Sequence, residues 1–393
     1  MQRPPAGGGV NHEGTLLRSF VNWSCKQALP FWGTRGFDKV NARFVERTDR
    51  EGNALQVPHR AMVQARQIYV YAHAAELGWY APGAGLAEAA FASLRRDFCD
   101  DEADVASVAF SIDPVSGRQL STLRDSYTHA FVLFAIAHLY RLTGDPELLA
   151  FARRISAFID REMIDPVHGG VLDAIPAATT TKRQNPQMHL LEAYLALEQA
   201  APGQGWLDKA RPLVDLFYDR MSKAEHGVLL EHFAHDWGSH EDPVMGAAFE
   251  PGHHYEWAWL LDRHQQLSGR DHGAWRTTLH DTAARYGHAS SGLIYDEVLA
   301  NRQVSKPFHR LWPHTEAIKA ATVRHREGDP QAMADARQMT DVLALHFLDA
   351  PFEGGWTDQI SATGEALVDY VPASSLYHLF LAATEADRVT TAS

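Results

Sequence analysis

The chain has 393 residues, of which 45% are hydrophobic, 22% charged and 10% aromatic, and its formal net charge is −13. This is a globular composition with ample core material, and its acidic balance argues against nucleic acid or anionic membranes as partners, since no surplus of Lys and Arg exists to displace counterions. Two cysteines, Cys25 and Cys99, can build neither a disulfide framework nor a cysteine zinc site.

Residues 1–14 lack a basic end followed by an apolar run, so they read as a disordered Pro/Gly-rich tail and not as a signal peptide. No stretch approaches 18 uninterrupted apolar residues, so no membrane span is expected and the cytoplasm is the expected compartment. From there on, most long segments have helical periodicity. The run Ala130 to Tyr140 is apolar nearly all round, as is Leu190 to Leu197, which implies helices buried on most sides. Pro146 to Arg161 instead places Leu148, Leu149, Ala152, Ile155, Phe158 and Ile159 on one stripe, with Arg153, Arg154 and Asp160 opposite, as an outer amphipathic helix would.

Two kinds of punctuation recur. The turn Gly144-Asp145-Pro146, in which Asp145 can cap the following helix, returns as Gly328-Asp329-Pro330, 184 residues later. Short β-like runs ending in an acid occur at Glu46, Asp113, Asp173, Glu231, Asp296 and Asp358, spaced by 67, 60, 58, 65 and 62 residues. Six units, each a short strand or hairpin plus two helices, account for almost the whole chain, and a fixed period of this kind marks a repeat architecture. An open solenoid would leave the all-apolar helices half exposed. A closed ring of six helical hairpins, an (α/α)6 barrel forming a single domain over 15–388, buries them.

In each unit the helix after the acid opens with polar or aromatic residues: Arg66; Arg124, Asp125 and Tyr127; Asn185 and His189; His253, His254 and Glu256; Trp312, His314 and Glu316; Tyr377 and His378. Equal phase in a closed repeat means the same end of the barrel, so these side chains are expected to converge on one pocket. Taken singly, most of the 22 histidines are ordinary structural or surface residues. His253 stands apart because it follows Pro251-Gly252 at a helix start, with Glu256 one turn on to fix its tautomer. His189-x-x-Glu192 and His253-x-x-Glu256 could each offer two metal ligands on one helix face. No His-Glu-x-x-His, acidic calcium loop, Gly-rich phosphate loop or Gly-x-Ser-x-Gly elbow is present, so no metal or cofactor is expected. Imidazoles tuned by carboxylates, beside aromatic faces, suit proton transfer on a neutral polyhydroxylated molecule.

At these residues the chain closely resembles the N-acylglucosamine 2-epimerase superfamily, over roughly residues 18 to 386. The most specific segment is Pro251-Gly252-His253-His254-Tyr255-Glu256-Trp257, supported by Gln64-Ala65-Arg66, Arg124-Asp125-Ser126-Tyr127, Asn185-Pro186-Gln187-Met188-His189, Leu311-Trp312-Pro313-His314-Thr315-Glu316 and Ser375-Leu376-Tyr377-His378. The resemblance implies an (α/α)6 barrel with Arg66, Tyr127, Asn185, His189, Trp312 and Glu316 binding a sugar. It also implies that His253 and His378 form the acid/base pair, with Glu256 supporting His253. In that chemistry an open-chain sugar loses its C2 proton and passes through an enediol. Protonation at C1 gives aldose–ketose isomerisation; protonation of the other face of C2 gives epimerisation. Mannose and sulfoquinovose isomerases tend to carry an Arg about ten residues before Pro-Gly-His, whereas residues 242–250 here contain none. The reading is therefore an isomerase of free monosaccharides, mannose to fructose, acting as a monomer or homodimer. The rivals are a 2-epimerase, a glycoside hydrolase using Glu256 and Glu316, and a non-catalytic helical scaffold.

Overall fold

The computed structural model describes residues 15–177, 179–224 and 226–391, and the expected tail at 1–14 lies outside them. Helix α1 (Thr15–Trp23) runs through a π-helical turn into α2 (Leu29–Thr34). Helix pairs follow: α3 (Ala61–Glu76) and α4 (Gly83–Phe98), α5 (Ser126–Thr143) and α6 (Pro146–Phe158), α7 (Gln184–Ala200) and α8 (Trp206–Leu216), α9 (Pro251–Ser268) and α10 (Gly273–Tyr286), α11 (Trp312–Arg326) and α12 (Ala332–Leu343). Helix α13 (Leu376–Thr391) ends the described chain. Helices α3, α5, α7, α9, α11 and α13 each pack on the next, and α13 returns to α3, so the inner ring closes. The remaining helices lie outside it, with α1 against α13. The fold is the (α/α)6 barrel that the repeat arithmetic requires.

Burial follows the expected division. Every residue of α5 from Thr128 to Leu139 is buried, whereas α6 buries only the stripe Leu148, Phe151, Ala152, Ile155 and Ser156. The recurrent turn also behaves as its sequence demands: Asp145 accepts from the Glu147 amide at 3.0 Å, and Asp329 from the Gln331 amide at 2.8 Å.

Short antiparallel pairs tie each unit to its successor. His59–Arg60 pairs with Ser111–Ile112, Arg124–Asp125 with Ala174–Ile175, and Lys182–Arg183 with His232–Phe233. Ala248–Phe249 pairs with Val298–Leu299, and His309–Arg310 with Gln359–Ile360. Tyr370–Pro372 then pairs back with Arg47–Asp49, which closes the circle. Because these strands lead into the inner helices, all six inner N-termini face the same end of the barrel.

A side chain from the inner helix's first turns pins its own unit's strand. Gln64 accepts from the Phe44 amide and donates to its carbonyl; Gln187 does the same with Val171, both at 2.8 Å. His129, His254 and His314 accept from the amides of Val108, Leu229 and Ile294 at 3.0–3.1 Å. His254 and His314, expected to face the pocket, are thus structural. The pinned residues are separated by 64, 63, 58 and 65 residues. An acid follows two places later at Glu46, Asp173, Glu231 and Asp296, but the second unit has Phe110 in that slot. Asp113 is therefore three residues out of phase: it is a half-buried turn residue, accepting from the Val115 and Ser116 amides.

Replacing Gln187 by Leu strands the buried amide and carbonyl of Val171. An orphaned buried group costs about 1–3 kcal/mol, so Gln187→Leu should lower the unfolding free energy by an amount in that range, measured by urea denaturation followed by circular dichroism against the parent.

Candidate active site

The pinned phase builds the site. Two residues before the pins stand Met62, Tyr127, Asn185 and Trp312, and two residues after stand Arg66, His189 and Glu256; all of them line one cup of about 380 Å³ at the N-terminal end of the inner ring. In the last unit Leu376 occupies the pin phase, and Ser374 and His378 flank it in the same way. The polar residues of six distant segments thus share one wall, as their phase predicts.

His253 and His378 both border the indole of Trp312, with ring centroids 4.9 and 5.5 Å away. Gly252 makes room for that indole, since a Cβ there would lie 2.5 Å from Trp312 Cη2. Each imidazole has its own carboxylate. His253 Nδ1 lies 3.0 Å from Glu231 Oε2, and His378 Nδ1 lies 2.9 Å from Glu316 Oε1. His189 Nδ1 is 3.0 Å from Glu192 Oε2, and the other oxygen of Glu192 accepts from the Tyr377 hydroxyl. In each case Nε2 is the ring nitrogen left for other partners. The Asn185 amide nitrogen lies 3.4 Å from His253 Nε2. Arg66 donates to the Ser374 carbonyl at 3.2 Å and the Tyr127 hydroxyl at 2.5 Å, and lies over the Phe131 and Tyr377 rings.

Two expected roles change. Glu256 does not orient His253; that carboxylate is Glu231, which comes from the strand 22 residues earlier and so escapes an i, i+3 reading. Glu256 lines the cup with neither oxygen hydrogen-bonded. Glu316 is not a cup-lining sugar contact: it is fully buried behind His378 and pairs with Lys319 at 2.5 Å.

The two principal imidazoles are driven in opposite directions. Burial alone would depress His253, but Glu231 and Glu250 outweigh it and hold its pKa up at about 9. Burial pushes His378 well below the ordinary histidine value, and the cations Arg66 and Lys319 reinforce that. Burial and the neighbouring Glu316 raise Glu256 well above the usual carboxylate range, against the pull of Lys319. At neutral pH the cup therefore presents an imidazolium and a neutral imidazole, beside a carboxyl whose protonated form burial favours. Ligand atoms of Glu231, Glu250 and His253, and of Glu256, Glu316 and His378, lie within 4.8 Å of one another and could surround a metal ion. Each set already contains a protein cation, Arg310 at 2.7 Å from Glu250 and Lys319 on Glu316.

A sequence profile described as N-acylglucosamine 2-epimerase (GlcNAc 2-epimerase) matches residues 44–382. The chain belongs to this family. The mannose-6-phosphate isomerase of Rhizobium meliloti (strain 1021) is 30% identical over 93% of this chain and 95% of its own. The cellobiose 2-epimerase of Bacteroides fragilis is 24% identical over 86% and 88%. A crystal structure of a D-mannose isomerase superposes with a TM-score of 0.84 at 18% identity, covering 97% of this chain and all of that one. N-acylglucosamine 2-epimerase family relatives thus include both isomerases and epimerases of sugars.

Sequence reasoning missed Arg60, Glu250, Arg310, Asp358, Gln359 and Ser375 on the cup wall. Arg60, Glu250 and Arg310 stand four residues before their pins, in a slot that also holds Arg183; the repeat phase would have found them. There they meet the strand acids: Arg60 with Glu46, Arg183 with Asp173, Arg310 with Asp296. Ser375 donates to Asp358 at 2.5 Å.

Because Glu231 is the leading carboxylate raising His253, its removal should free the imidazole to lose its proton sooner. NMR titration should place the His253 transition near pH 9 in the parent and at least about one unit lower in Glu231→Gln.

Proposed function

We propose that this protein is a cofactor-independent aldose–ketose isomerase that converts free mannose to fructose. The observation that carries the reading is the pair of carboxylate-backed imidazoles in opposite charge states, set around one indole in one cup. His378, neutral with Nδ1 bound to Glu316, takes the C2 proton at Nε2. His253, charged at neutral pH, supplies a proton to the carbonyl oxygen as the C1–C2 double bond forms, which gives the enediol. Return of the carbon-bound proton to C1, with the O2 proton passing back to His253, yields the ketose. Arg66 is a further donor for the oxygen on which charge develops, and Trp312 offers an apolar face to the sugar ring.

The isomerase reading is supported by the Rhizobium meliloti relative, whose name describes an isomerase and which matches nearly end to end. A free sugar is favoured over a phosphorylated one by the charge of the cup. Arg60 and Arg310 are already paired with Glu46, Asp296 and Glu250, leaving Arg66 as the cup-lining guanidinium without a carboxylate partner among the described residues. A phosphate dianion usually draws more cationic help than that. The 2-epimerase reading has its own support in the cellobiose 2-epimerase relative, and it requires His253 to reprotonate C2 from the opposite face. The hydrolase reading needs an ionised carboxylate opposite an acid, whereas Glu316 is sealed behind His378.

Incubation with mannose in D2O, followed by NMR, tests the choice. Fructose, carrying solvent deuterium at C1 to the extent that His378 exchanges, is the expected product; glucose deuterated at C2 would establish epimerisation instead. Preferential turnover of mannose 6-phosphate would overturn the substrate assignment. His253→Asn and His378→Asn should each lower kcat by about 10²–10⁴, the range of a lost general acid or base.

A further inference from the structure

Beneath the cup lies a cation that the reaction as drawn does not use. Lys319 sits on α11 one turn beyond Glu316 and is completely buried. Its ammonium is 2.5 Å from Glu316 Oε2 and 4.1 Å from the centre of the Trp259 ring. Around it α7 contributes Glu192 and His189, α9 contributes Glu256 and His253, α13 contributes Tyr377 and His378, and Arg66 approaches from α3. Three carboxylates thus share a water-poor space with a single lysine.

Their situations differ. Glu192 is satisfied by His189 and Tyr377, and Glu256 has no hydrogen-bond partner among the described residues. Glu316 has one imidazole N–H on one oxygen and, on the other, the Lys319 ammonium. Taking a carboxylate out of water is costly unless a countercharge compensates it. Burial raises Glu316, and Lys319 is the first of the groups opposing that rise.

The consequence falls on the tautomer of His378. While Glu316 is ionised it only accepts, so His378 Nδ1 carries the proton and Nε2 keeps its lone pair. Once Glu316 is protonated it can donate to Nδ1, which moves the ring proton to Nε2 and removes the acceptor that a base needs. We propose that Lys319 is a positioning residue that keeps Glu316 ionised and thereby holds His378 in the tautomer of a base. The proposal rests on the reading of His378 as the proton acceptor.

The test has a kinetic arm and a substrate-free arm. In Lys319→Met, kcat should fall by about 10²-fold, the scale of a disabled general base, with KM little changed. The acid limb of the kcat profile should move up by about one pH unit or more, because Glu316 then protonates more readily. Lys319→Arg, which keeps the charge, should hold the limb near its parent position. A loss of activity that is uniform across pH, with the limb unmoved, would mean that Lys319 serves packing alone and would overturn the proposal. The second arm is ¹⁵N NMR of histidine-labelled parent protein without sugar. His378 should show a protonated Nδ1 and a bare Nε2 around neutral pH, and an Nε2–H tautomer would overturn the proposal even if Lys319→Met fails to fold. Because that arm needs no turnover, an error in the assigned sugar reaction does not alter what the spectrum reads.

Discussion

The geometry of the barrel depends on the hydrogen bonds by which the inner helices grip the strands that precede them. A short strand in a ring of helices has few neighbours, and its amides and carbonyls must still be satisfied where they are buried. Gln64, His129, Gln187, His254 and His314 do this from the first turns of their helices. Each bond fixes the rotation of an inner helix about its axis. Once that rotation is set, the side chains two residues before and after the pin have no direction left but the centre of the ring. The cup is therefore a result of structural bonding repeated around a circle.

The same repeat explains how the charged dyad at His253 arises. In the first, third and fifth units an arginine four residues before the pin neutralises the strand acid. In the fourth unit that slot holds Glu250, and Glu250 turns instead to Arg310 of the next unit. Glu231 is left without an arginine. Gln184 and the Glu250 amide donate to it at 2.9 and 3.1 Å, and its cationic partner among the described residues is His253. A position that elsewhere carries a structural ion pair thus delivers two carboxylates to one imidazole, and that imidazole holds its proton into the alkaline range. His378, which also borders Trp312, feels the cations Arg66 and Lys319 on top of its burial and has the opposite fate. Two histidines of identical intrinsic chemistry are driven to opposite charge states by which charges the ring places behind them.

Much of this was legible in the chain. The sixty-residue period, the apolar inner helices and the phase of Arg66, Tyr127, Asn185, His189, His253, Trp312 and His378 all follow from spacing, because a closed repeat turns sequence phase into direction. What escaped were contacts between units or between a strand and a helix. Glu231 lies too far along the chain from His253 to be paired by helical periodicity, so the nearer Glu256 took its place. Asp113 passes for a strand acid on residue type, although Phe110 occupies the true slot. Lys319 reads as one more helix cation until the depth of α11 shows that water cannot reach it.

Depth also decides what Glu256 can contribute. A carboxyl that is buried, has no hydrogen-bond donor among the described residues and faces Glu316 across the floor is biased toward its protonated form. That bias sets it apart from Glu192, Glu231 and Glu316, each of which has a histidine Nδ1 against it. A neutral carboxyl can donate a hydrogen bond without releasing its proton, and so without creating a buried charge. Of the three carboxylates around Lys319, two hold the Nδ1 atoms of His189 and His378, and the third, Glu256, lines the cup without a hydrogen-bond partner among the described residues.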